Sequence, residues 1–250
     1  MAGHSKWAQI RHKKAKVDAK RGKIFSKLIR EITVAARMGG GDPDFNPRLR
    51  LAIERAKEHN MPWENIEKAI KRGTGELEGT KYETVIYEGY APGGVAILVQ
   101  ALTDNKNRTT NVVRHLLSKH GGHMAGAGSV MWQFKEKGVI YIDKKETSED
   151  KVLDLAIEAG AEDVRVQEDT YEIWTDPKEL FSIEKFFKEN NLNITQSQLT
   201  LMPQNTVPLQ RREAEKLLKL LYALEELDDV TAVYSNFEIP EEILQTLAES

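Results

Sequence analysis

The chain has 250 residues, 40% hydrophobic and 30% charged, with a formal net charge of -3 and no cysteine. That length allows two or three domains, and the lack of cysteine excludes disulfides, thiol catalysis, iron–sulfur clusters and Cys-type zinc sites. No run approaches the ~18 apolar residues of a membrane span, and the start lacks the apolar core of a secretory signal, so a cytoplasmic protein with no membrane partner is expected.

The first 75 residues predict helices. Ile24, Phe25, Leu28, Ile29, Ile32, Ala35 and Ala36 recur at helical spacing, and Gly39-Gly40-Gly41 ends the run. Gly22 is expected to interrupt this helix and to separate a loose arm from a packed segment. Asn46 with Pro47 reads as a cap and first helical residue, followed by an apolar stripe of Leu49, Ala52, Ile53 and Ala56. Pro62 opens a third helix carrying Trp63, Ile66, Ala69 and Ile70 on its apolar side, with Gly73 as its close. After the linker GTGELEG the pattern turns to strands. TVIYEGY and GVAILVQALTD are separated by the hairpin signal Ala91-Pro92-Gly93-Gly94. A helix from about Arg108 to Lys119, capped by Asp104 or Asn105, and a strand GSVMWQFK come next.

Residues 138–203 then read β-α-β-β-α-β, the ferredoxin-like plan, with Thr147 and Asp150 in capping-box spacing before the first helix. The helix PLQRREAEKLLKLLYALEEL and the strand VTAVYSNFEI are surplus to that unit and complete the earlier one. The expected fold is therefore α+β. A basic helical domain (1–78) precedes a middle α+β domain (79–137 plus 204–250), and a ferredoxin-like domain (138–203) is inserted in the latter.

Charge is strongly segregated. Residues 1–75 hold 18 Lys/Arg against 8 Asp/Glu, a net of +10, which leaves -13 for the remainder. Such asymmetry suits a polyanionic partner held by one part of the chain and repelled by the rest. On a helical projection Lys13, Lys16, Lys20, Lys23, Lys27 and Arg30 fall within about 100° of arc, opposite the apolar set. A cation row of this kind matches phosphates along a nucleic-acid backbone. The candidate nucleic-acid contacts are Lys6, Trp7, Arg11, His12, Lys13, Lys14, Lys16, Lys20, Arg21, Lys23 and Lys27. Trp7 could stack on an unpaired base or pack on the helical domain.

A second candidate anion site is the helix start at Asn105, Lys106, Asn107, Arg108 and Thr109, where free N–H groups favour negative charge. The Gly-rich stretch GGHMAGAGS, 121–129, could also cradle a phosphate, but matches neither GxGxxG nor the Walker pattern. His115, His120 and His123 lack metal-ligand spacing, and Ser129 is not set as a nucleophile elbow requires. No catalytic constellation, metal site or cofactor is expected. A ligand cleft near Arg108 and the Gly-rich stretch is the remaining enzyme-like reading.

The runs MAGHSKWAQIRHKKAKVDAKRGKIFSKL, AARMGGGDPDFNPRLRLAIERAKEHNMP, YEGYAPGGVAILVQALTDNKNRT and GGHMAGAGSVMWQF resemble, in that order, the YebC/PmpR family, which includes the mitochondrial translational activator of cytochrome oxidase. Departures are Ala91 where the family usually has Gly, and Arg11 where Lys is common. The resemblance implies a cytoplasmic, non-enzymatic protein of three domains that acts as a DNA-binding transcriptional regulator. The alternative it carries is a translation factor bound to ribosomal RNA.

Overall fold

The computed structural model describes residues 18–79, 81–167 and 169–239, with side chains of the first helix from Gly22 onward. Two compact units emerge: residues 134–202 form one, and the chain on either side of them forms the other.

The larger unit begins with helices α1 (Asp18–Gly39), α2 (Pro47–Glu58) and α3 (Trp63–Thr74). Their apolar stripes converge on a core of Leu28, Ile32, Ala35, Leu49, Ile53, Ala56, Ile66 and Ala69. Helix α1 runs straight through Gly22, with no interruption there. Trp63 is exposed rather than part of the apolar stripe, with Lys57 5.6 Å from its ring centroid. Gly73 is the penultimate residue of α3, one short of its end at Thr74, and a Cβ there would strike the Thr33 carbonyl oxygen of α1. Gly75, at φ 87°, makes the left-handed exit instead. Asn46 caps α2 by accepting from Leu49 N and donates to the carbonyls of Ala35 and Gly40, both at 2.8 Å. One buried amide thus closes α1 and opens α2.

The same unit continues with β1 (Glu83–Tyr90), β2 (Ala96–Thr103), α4 (Lys106–Lys119) and β3 (His123–Met124). The β1–β2 hairpin turns through Gly93 and Gly94, both at positive φ. Of the strand expected over GSVMWQFK, only Phe134 and Lys135 are strand; residues 128–133 form a loop and a single 3-10 turn (Met131–Gln133). The chain re-enters this unit at β8 (Val207–Pro208), followed by α7 (Arg211–Glu225), β9 (Val230–Ser235) and β10 (Phe237–Glu238). Strand β9 joins β2, so the sheet order is β3-β1-β2-β9. Leucines 217, 220, 221 and 224 of α7 and Val113 and Leu117 of α4 close the core against Ile97 and Val99 of β2.

Residues 134–202 contain β4 (Phe134–Asp143), α5 (Glu149–Glu158), β5 (Asp163–Val166), β6 (Thr170–Thr175), α6 (Leu180–Glu189) and β7 (Ile194–Pro203). Their sheet order, β5-β6-β4-β7 with antiparallel β4–β6 and β5–β6 ladders, is the ferredoxin-like arrangement. The first strand starts four residues earlier than expected, at Phe134. The cap of α5 is Ser148, which accepts from Lys151 N, rather than Thr147. The fold is α+β, as the periodicities predict.

Candidate nucleic-acid interface

Seven of the candidate contacts, Lys6, Trp7, Arg11, His12, Lys13, Lys14 and Lys16, lie outside the described residues, and Lys20 and Arg21 are described only as backbone within α1. The two remaining, Lys23 and Lys27, sit one turn apart and both reach the C-terminal end of α7. Lys23 Nζ lies 2.9 Å from Glu226 Oε2, and Lys27 Nζ donates to the Glu225 carbonyl at 2.6 Å. Arg30, next in the row, donates to Asp228 O and Asp229 Oδ1, both at 2.7 Å. The far end of the cation row is therefore occupied by the chain's own acidic run Glu225-Glu226-Leu227-Asp228-Asp229. Burial pushes the Lys27 ammonium below its ordinary pKa, while the Glu226 hydrogen bond and charge hold Lys23 above its own.

Asp229 is the centre of this contact. It is buried, and besides Arg30 it accepts from Arg108 Nη2 at 2.8 Å and Thr109 Oγ1 at 2.7 Å. Burial alone would raise its pKa. The hydrogen bonds from Arg108 and Thr109 and the charges of Arg108 and Arg30 outweigh burial and hold it below the usual carboxylate range. The second expected anion site thus already contains an anion. Asn105 Oδ1 accepts from Arg108 N, Asp104 pairs with Arg108 at 2.7 Å, and Thr109 is buried. Lys106 and Asn107 remain exposed.

The Gly-rich stretch has the same solution. Glu88 on β1 accepts from the backbone N–H groups of Gly128 (2.6 Å), Val130 (2.7 Å) and Met131 (2.9 Å). Burial would raise this carboxyl as well, but the three N–H donors bring it below its ordinary value. A ring of donors suited to phosphate is filled by an internal carboxylate. Trp132 projects from the end of this loop, 65% exposed, with its indole N–H on Ser129 O. His123 packs on Tyr90 with ring centroids 5.5 Å apart, and no group of three His, Asp or Glu among the described residues could hold a metal.

Sequence reasoning missed Glu88, Asp229 and the acidic run after α7. Only the length of that run signals a role, since nothing local marks its partner some 200 residues away.

The TACO1/YebC protein N-terminal domain matches residues 5–76, and the TACO1/YebC second and third domain matches residues 82–237. The chain belongs to the TACO1/YebC family. An Aquifex aeolicus member named "probable transcriptional regulatory protein" is 60% identical over 246 residues, covering 98% of this chain and 99% of its own. A Persephonella marina member of the same name is 58% identical over 250 residues, covering 99% and 100%. The crystal structure of a conserved hypothetical protein from Aquifex aeolicus superposes with a TM-score of 0.87 at 59% identity, covering 96% of this chain and 99% of that one. No helix among the described residues of this TACO1/YebC member is long and apolar enough to cross a membrane.

Proposed function

We propose that this TACO1/YebC member is a non-enzymatic, DNA-binding regulator of transcription that holds the phosphate backbone through its basic N-terminal segment. The observation that carries the reading is the segregation of charge, +10 in residues 1–75 against -13 in the rest. The anchoring of Lys23, Lys27 and Arg30 sharpens it. These three are matched internally, so the proposed contacts are the other candidate cations, Lys6, Arg11, Lys13, Lys14, Lys16, Lys20 and Arg21. The names of the close relatives support a transcriptional role. Phosphate contacts supply affinity without sequence choice, in keeping with the absence of a base-reading motif in the sequence.

A second reading is a cytoplasmic translation factor that binds ribosomal RNA. Trp7 among the cations favours it, because an indole there suits an unpaired base better than a closed duplex. Two assays on Lys13→Glu/Lys16→Glu/Lys20→Glu separate these readings. Fluorescence anisotropy on duplex DNA should show binding by the parent chain and loss of at least tenfold in the variant. Co-sedimentation with ribosomes, lost in the variant while duplex binding stays negligible in both, would move the assignment to RNA. Binding of neither polymer would reject both.

A further inference from the structure

The -13 carried by residues 76–250 is not spread evenly, and one helical layer of the larger unit has the opposite sign. Helix α4 contains no acidic residue, and α7 packs beside it on the sheet. The buried side of α7 is Ala214, Leu217, Leu220, Leu221 and Leu224. Its opposite side presents Arg212, Lys216 and Lys219 at i, i+4 and i+7, one line along the helix. On α4, Arg114 and Lys119 are exposed.

The charges of Lys119 and Lys219 both act on half-buried His120 and, behind its burial, help keep its pKa below the ordinary value. The acids of α7 near this face are already engaged. Glu215 pairs with Arg211 at 3.2 Å, and Glu213 closes the capping box with Gln210. Among the described residues no carboxylate pairs with Arg114, Lys119, Arg212, Lys216 or Lys219. Lys23 and Arg30 of this unit are matched by its own carboxylates, whereas these five cations on adjoining helices form one face of like charge with no carboxylate partner among the described residues, which suits an external polyanion.

We propose that the outer face of α4 and α7 is a second phosphate-contacting surface, gripping the same nucleic acid that the N-terminal segment holds; this rests on the nucleic-acid reading above. Salt slope and affinity test it on the full-length chain, with a DNA duplex and a structured RNA as probes. Each phosphate contact contributes about -0.9 to the slope of log affinity against log salt on duplex DNA, and about -0.7 on single strands. Arg212→Gln/Lys216→Gln/Lys219→Gln should flatten the slope by about 2 to 3 and weaken binding at least tenfold. The same charge change at exposed residues 145, 151 and 178 of the other unit, Lys145→Gln/Lys151→Gln/Lys178→Gln, should leave both unchanged. An effect on one polymer alone assigns the surface to that polymer. If the parent chain binds but the α7 variant matches the control on both polymers, this surface is not a contact while the N-terminal reading stands. If the parent chain binds neither, both readings fall.

Discussion

Asp229 and Glu88 each occupy a position where the sequence suggests an external phosphate, and each does so with a geometry a phosphate would use: convergent N–H, O–H and guanidinium donors. Both carboxyls lie below their usual pKa. The stability they contribute is therefore complete above the unfolded carboxylate value of about 4 and is lost as pH falls through their lower folded values. Glu88→Gln should cost about 1–3 kcal/mol at pH 7, because buried loop N–H groups lose a charged acceptor. In urea titrations the gap to the parent chain should narrow as pH drops below about 4. A gap that stays constant with pH would mean that the charge of Glu88 is not what holds the loop. Asp229→Asn should cost a similar amount, and it should also loosen α1 from β9, read as faster amide exchange at both. These two residues were illegible in the sequence because their partners lie 40 and 120 positions away, and a lone acid carries no local pattern.

Among elements, the helices were legible almost throughout, since an apolar stripe at 3.6-residue spacing is set by burial that any reader of the sequence can count. Their glycines were not. Gly22 looks like a break but lies in open space within α1, with nothing within 4 Å of a Cβ placed there. Gly22→Ala should therefore stabilise the chain by about 0.5–1 kcal/mol, visible as a raised denaturation midpoint. Gly73 looks like a terminator but sits where α3 crosses α1, too close to the Thr33 carbonyl for a side chain. Gly73→Ala should destabilise by about 1–3 kcal/mol. The two substitutions have equal chemistry and opposite sign, and only packing distinguishes them. The strand expected over GSVMWQFK is lost before Phe134 for a related reason. Its apolar residues are spaced like a strand, but Glu88 captures the N–H groups of Val130 and Met131 that a ladder would need.

At the scale of the whole molecule, the α+β class and the late return of α7 and β9 to the β1–β2 sheet follow from counting elements, because the ferredoxin-like unit is complete without them. The electrostatic layout was only half visible. Net charge by segment identifies the basic beginning, but it averages over the acidic residues 134–202 and hides the cationic α4–α7 layer. It also hides that the end of the N-terminal cation row is tied to residues 225–229. Those ties hold α1 to the end of α7 and the turn into β9 within the larger unit. The most direct measurement of that account is the salt dependence of binding by the full-length chain to duplex DNA and to structured RNA. Neutralisation of about six phosphates by the N-terminal segment predicts a slope on duplex DNA near -5 or steeper. A slope near zero, or no binding to either polymer at low salt, would contradict it.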